Sequence, residues 1–278
     1  MTEKITQLIK ENWNIFPISG QCTEAKEKIL LSKFYHGRAW IGGKVLFFAT
    51  YDGKPICLVK TARDISAGQK IKKEKESQEK FIEAGSLSAP RVYFDGEIDG
   101  KYLYAEEILS GRPLSKNLAI KKERELVNII SSRPFSGELL TSDVAKIFED
   151  NFLFEDAEAK ELIKQLKLYD LPLKRGFSHG DFTRKNIIYD GRIFRLIDWD
   201  RAGERPFWLI DAVHFMVSLR NIKNMKEWKR QAVSSLAEYA GINEDTAVAL
   251  YCVETMLEIF CKNYPERYFK IMEQLSLL

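Results

Sequence analysis

Three apolar-rich runs follow one another near the start of the chain, Lys28–Tyr35, Val45–Tyr51 and Pro55–Thr61, separated by the glycine-bearing stretch His36–Gly43 and by Asp52-Gly53. Runs of this length and composition between turn residues predict strands, here an antiparallel meander. Ala67–Ala84 is instead rich in Lys and Glu, with Ile71, Phe81 and Ile82 at helical spacing, and Gly85 as its stop. That pattern predicts an amphipathic helix. Pro90–Phe94 and Lys101–Ile108 then read as two further strands around Asp99-Gly100, and residues 4–12 as a short helix ending before Pro17. Beyond Gly111-Arg112-Pro113 the periodicity turns helical, with helices expected near 122–131, 141–151, 156–168, 208–221, 225–240, 244–263 and 265–276. One segment breaks the rule: Asn186–Ile197 reads as a hairpin turning at Asp190-Gly191. The expected architecture is α+β in two lobes. Residues 1–107 form a small antiparallel-sheet lobe with one helix, and 108–278 a larger, mainly helical lobe.

Composition adds constraints more than identity. The 278 residues suffice for two cores. A net charge of +3, with Lys and Arg interleaved among acids, gives no footprint for nucleic acid. Cys22, Cys57, Cys252 and Cys261 are scattered without a C-x-x-C pair, as expected of reduced thiols in a cytoplasmic protein. The N-terminal residues lack the apolar core of a signal peptide, and no stretch is apolar enough to span a membrane; Leu250–Cys261 is interrupted by Glu254 and Glu258. Nothing in the sequence sets an oligomeric state.

The chemistry concentrates in Ser178-His179-Gly180-Asp181-Phe182-Thr183-Arg184-Lys185-Asn186 and in Leu196-Ile197-Asp198-Trp199-Asp200. A hairpin between them would bring Asn186 and Asp198 to one open end, with Asp181 beside them. Three such oxygen-bearing side chains suit Mg²⁺ and a hydroxyl that must lose a proton. A strict two-residue turn would put Asn186 and Asp198 on opposite faces, so a bulge or bend is expected before Asp198. Asp143–Glu161 holds seven acids against Lys146 and Lys160. It reads first as a solvated helix face, and second as a grip for a cationic substrate.

His179-Gly-Asp-x4-Asn186 followed by Ile197-Asp-Trp-Asp200 resembles the aminoglycoside phosphotransferase and choline kinase branch of the protein-kinase-like superfamily, over roughly residues 28–215. The resemblance implies a two-lobed kinase-like fold, ATP and Mg²⁺. It makes Asp181 the catalytic base, Asn186 and Asp198 metal ligands, His179 a buried scaffold of the loop, Asp200 a supporting acid and Asp211 an anchor of the loop backbone. Lys60, ending the third strand, matches the lysine that pairs with ATP phosphates. Its helix partner is expected to be Glu74, which shares a face with Ile71, Gln78, Phe81 and Ile82; Glu76 is the second choice. Gly43 falls where the last glycine of a phosphate loop would lie. There is no G-x-G-x-x-G, and Gly37, Gly42 and Gly43 would serve a plain hairpin equally well. Ala105–Gly111 resembles the connector that reads adenine, with mostly backbone contacts at Glu106, Glu107 and Ile108.

The expected reaction is transfer of the γ-phosphoryl group of ATP to a hydroxyl of a small molecule or glycan. Two competitors stand beside it, a protein kinase and a nucleotide-binding module without turnover. Only twelve residues separate Asp198 from Asp211, and no Ala-Pro-Glu follows, too little for a peptide-binding activation segment. Lys60, Asp181, Asn186 and Asp198 are all present, which argues against a module. The acceptor itself is open among aminoglycosides, amino-alcohols and sugars.

Overall fold

In the computed structural model the structure describes residues 1–16, 29–34, 44–83, 88–151, 156–203 and 205–277. Gly85, the expected helix stop, lies outside them. They divide into two compact units: one holds Met1–Glu83, Ser88–Arg112 and Ile188–Asp200, the other Pro113–Ile187 and Arg201–Leu278.

The first unit is built on five antiparallel strands, β1 (Ile29–Phe34), β2 (Lys44–Tyr51), β3 (Lys54–Ala62), β4 (Val92–Ile98) and β5 (Lys101–Glu106), in the order β1-β2-β3-β5-β4. Asp52-Gly53 and Asp99-Gly100 turn the two hairpins, all four residues at positive φ, where Gly is free and Asp tolerated. The fourth strand starts later than the expected Pro90 and runs on to Ile98. Tyr102–Tyr104 pair with Asp95–Glu97, and the Tyr102 hydroxyl donates to Asp95 at 2.7 Å.

Alternation along the strands gives the sheet two different faces. Phe47, Ala49, Cys57, Val59, Leu103 and Ala105 form one apolar face, clustered with Ile5 and Ile9 of α1 (Thr2–Glu11). Ala62, Tyr102 and Tyr104 on the other face cluster with Ala67 and Ile71 of α2 (Ile65–Glu83). Lys60 lies opposite Tyr104, so it belongs to the face under α2.

The chain leaves the sheet through the short β6 (Arg112–Pro113) and enters helical structure: α3 (Lys116–Lys121), α4 (Glu123–Ser131), α5 (Thr141–Asn151) and α6 (Ala157–Tyr169). Two strands absent from the sequence expectation, β7 (Phe135–Leu140) and β8 (Pro172–Gly176), pair antiparallel. Most of β7 is exposed, so it carries no buried alternation to announce it. The expected hairpin forms as β9 (Ile187–Tyr189) and β10 (Phe194–Leu196), sheet order β10-β9-β6. Its connection has four residues, not two. Asp190 Oδ1 accepts from the Arg192 and Ile193 amides, which holds a wider loop closed.

The remaining helices are α7 (Ile210–Arg220), α8 (Met225–Gln231), α9 (Val233–Ala240), α10 (Glu244–Asn263) and α11 (Pro265–Leu277). Asp156, Asn224 and Asn243 cap α6, α8 and α10 through their side chains, while Asn221 and Gly241 end α7 and α9 in the left-handed region. The single helix expected over 225–240 breaks at Ala232, whose φ of −135° leaves the helical range. Among the described residues, no helix is long and apolar enough to cross a membrane.

Candidate active site

The sequence-predicted residues fall into both units. In the first, Lys60, two residues before the end of β3, has its ammonium 2.9 Å from Glu74 Oε1 and 2.9 Å from Glu106 Oε1, all three side chains nearly closed to solvent. Glu74 is the residue of α2 that meets Lys60; Glu76 is exposed. Burial would push the Lys60 amine down, but Glu106 and Glu74 outweigh it and hold it well above its ordinary value. Burial would likewise raise Glu74, yet Lys60 and Lys44 pull it down to about 2. A buried ion pair of this kind persists only because each charge has its partners.

Lys44 and the Glu106 side chain were not foreseen, and strand register could have found both. Tyr104 pairs with Lys60, so Glu106, two residues on, emerges on the same face. Leu46 pairs with Lys60, so Lys44, two residues back, does too. The Lys44 ammonium lies 2.7 Å from Glu74 Oε2, 3.4 Å from Asp200 Oδ2 and 3.8 Å from Asp198 Oδ1. The bend expected before Asp198 sits at Asp198 itself, with φ 66°. Burial and the charge of Asp200 raise its carboxyl to about 6. Trp199 is buried against Phe81, ring centroids 4.4 Å apart, and fixes this stretch.

Glu106 and Glu107 are more committed than a connector offering bare backbone would be. The Glu106 side chain serves Lys60. The Glu107 amide donates to the Arg91 carbonyl at 2.8 Å, and its carboxylate takes Arg195 at 2.8 Å. Ile108 follows, half-buried and outside any strand. Gly43 lies outside the described residues.

In the second unit, α7 organises the loop. Asp211 is buried, and its carboxylate accepts from the His179 amide at 2.7 Å and the Gly180 amide at 3.1 Å. Arg133 pairs with it at 2.7 Å. Burial would raise the Asp211 carboxyl; Arg133 and His179 outweigh that and hold it low. His179 is buried, edge-on to the ring of Phe182, which meets Phe215 of α7 the same way. Gly180 has φ 80°, and a Cβ there would stand 2.1 Å from the Arg201 carbonyl oxygen.

Asp181 and Asn186 are brought together. The Asn186 amide nitrogen donates to the Asp181 carbonyl at 3.0 Å and to its Oδ2 at 2.9 Å. With its nitrogen spent, Asn186 has its Oδ1 as the acceptor that remains. His214 Nε2 lies 3.4 Å from Asp181 Oδ1. The hydrogen bond from His214, and then its charge and that of Arg201, bring the Asp181 carboxyl down to about 2 against partial burial. Arg133 and His214 are further residues the sequence reading missed. His214 sits one helical turn past Asp211, and that spacing was its only signal.

An amide oxygen, as at Asn186, and a carboxylate, as at Asp198, are each the kind of ligand that a hard divalent cation such as Mg²⁺ takes.

No protein-family model matches the sequence, and no curated protein does. Solved structures do match by shape. A putative fructosamine-3-kinase from Haemophilus somnus 129PT superposes with a TM-score of 0.59 at 12% identity, covering 97% of this chain and 96% of that one. A mutant of the aminoglycoside 2'-phosphotransferase IIIa, solved as a GDP complex, gives 0.56 at 14% identity over 99% and 96%. A thermostable mutant of aminoglycoside phosphotransferase APH(4)-Ia, in ternary complex with ADP and hygromycin B, gives 0.53 at 13% over 90% and 93%. The chain therefore has the protein-kinase-like fold, a five-stranded antiparallel sheet followed by a mainly helical part.

Proposed function

We propose that this chain is an ATP-dependent kinase of a small molecule or glycan, placing the γ-phosphate on an acceptor hydroxyl. The observation that carries the reading is Asp211 taking both the His179 and Gly180 amides, which presents Asp181 and Asn186 as one hydrogen-bonded pair. The structural neighbours named above, phosphotransferases and a fructosamine kinase crystallised in part with ADP or GDP, support the same class.

Asp181 orients the acceptor hydroxyl and receives its proton. Lys60, charged and held by Glu74 and Glu106, meets the nucleotide phosphates, with Gly43 and the 106–108 connector completing the nucleotide contacts. Asn186 and Asp198 are the residues that would hold Mg²⁺, and the ion would supply neutralisation of phosphate charge. In a loose transition state, positioning and charge stabilisation do most of the work.

The test is purified protein with ATP or GTP and Mg²⁺ against a panel of amino sugars, amino-alcohols, neutral sugars and glycans, read by nucleoside diphosphate release. We expect turnover with at least one hydroxyl acceptor, lost in Asp181→Ala while nucleotide still binds. Tight nucleotide binding without turnover of any acceptor would instead define a regulatory module.

A further inference from the structure

We propose that His214 is the positioning residue of Asp181, an imidazolium wedged between the base and Glu254 that fixes the orientation of the Asp181 carboxylate. The inference rests on the kinase reading and extends it to a residue outside the motif.

The geometry is specific. His214 Nε2 lies 3.4 Å from Asp181 Oδ1, and its Nδ1 lies 2.6 Å from Glu254 Oε1 on α10. An imidazole facing carboxylate oxygens on both sides satisfies both only by carrying a proton on each nitrogen. Glu254 is buried and shares its carboxylate with Arg205, which also binds Glu258. Arg205 Nη1 stands 3.2 Å from His214 Nδ1, a repulsive approach that the shared Glu254 oxygen offsets. Outside this ring, Glu258 takes Arg201 at 3.6 Å and Lys262 at 3.0 Å. Facing His214 are therefore Asp181 from the loop, Arg205 from the segment before α7, and Glu254 and Glu258 from α10, both glutamates with a carboxylate oxygen within 4.8 Å of a ring nitrogen. Burial would lower the imidazole, and Glu254 and Asp181 together raise it to about 9.

The consequence for the base follows from its two oxygens. Asn186 donates to Oδ2 and His214 stands 3.4 Å from Oδ1, so each oxygen has a partner and the pair favours one orientation of the carboxylate. Each oxygen keeps a second lone pair for an acceptor hydroxyl. Helix α7 then locks the loop twice, by Asp211 on the backbone and by His214 on the reacting side chain, three residues apart on one face.

Two measurements on the full chain test this. The sequence has three histidines, so imidazole ¹⁵N spectra of His-labelled protein are simple, and His214→Gln identifies the relevant signal. We expect the His214 ring to stay doubly protonated at pH 7.5, with a titration midpoint that falls by at least one pH unit in Asp181→Asn. A midpoint indifferent to Asp181→Asn overturns the proposal. With an acceptor from the screen, His214→Phe should lower kcat 10- to 100-fold with KM for ATP within twofold, and His214→Gln, which keeps a donor, should recover part of it. A His214→Phe enzyme within twofold of wild-type kcat, beside an inactive Asp181→Asn, also overturns it. If His214→Phe fails to fold, His214→Gln carries the comparison. Should wild type turn over no acceptor, the kinase reading fails, and the spectra still decide the contact.

Discussion

A methyl group at position 180 has no room. It would stand 2.1 Å from the Arg201 carbonyl, on a backbone at φ 80° that other residues avoid. This accounts for glycine at position 180. Gly180→Ala should lose at least about 3 kcal/mol in urea unfolding, or yield no folded protein. At Lys60 the issue is charge. Lys60→Met removes the ammonium proposed to meet phosphate and leaves Glu74 and Glu106 facing one another. ADP affinity, measured calorimetrically, should drop roughly tenfold, the worth of one charge-assisted hydrogen bond; unchanged affinity would end the phosphate role. At this scale the sequence was legible wherever residue type and spacing coincide, as in Asp181, Asn186, Lys60 and Glu74. It was silent on Arg133, which meets Asp211 across 78 positions and leaves no periodic trace.

Among elements, α7 has the heaviest duty. Its first turn supplies Asp211 and its second His214, and Phe215 packs beneath the loop. Asp211→Ala strands the Arg133 guanidinium in the core and frees two amides. The expected cost is about 3–5 kcal/mol, and hydrogen exchange at His179 and Gly180 should quicken well beyond the change in neighbouring loops. Equal protection in the variant would mean that the loop is held by other contacts. Most elements could be read from periodicity because each buries one face. The β7–β8 pair could not, since an exposed strand with Gly137 inside it has no buried side to mark. The break at Ala232 likewise has no glycine or proline to announce it.

For the whole molecule, the Arg205–Glu254–His214 cluster ties stability to pH. A histidine whose folded-state pKa is raised stabilises fully below its unfolded value of about 6.5, and that contribution fades as pH climbs through about 9. The melting-temperature gap between wild type and His214→Gln should therefore be widest near pH 6 and close by about pH 9.5. A gap that widens toward alkaline pH would contradict the sign. The first unit also takes in Ile188–Asp200, where Trp199 covers Phe81 and Leu196 bonds Ser88. A fragment of residues 1–112 should thus bind a hydrophobic dye and melt without cooperativity, and joining 188–200 to it should restore a sharp transition. That membership has a consequence in time. A ribosome working at roughly 5–20 residues per second needs on the order of ten seconds to travel from residue 112 to residue 200. Throughout that interval the nascent first unit holds Phe81 without its tryptophan cover. Proteolysis of chains stalled near residue 150 should find that unit still open, a target for chaperones before the second unit is half made.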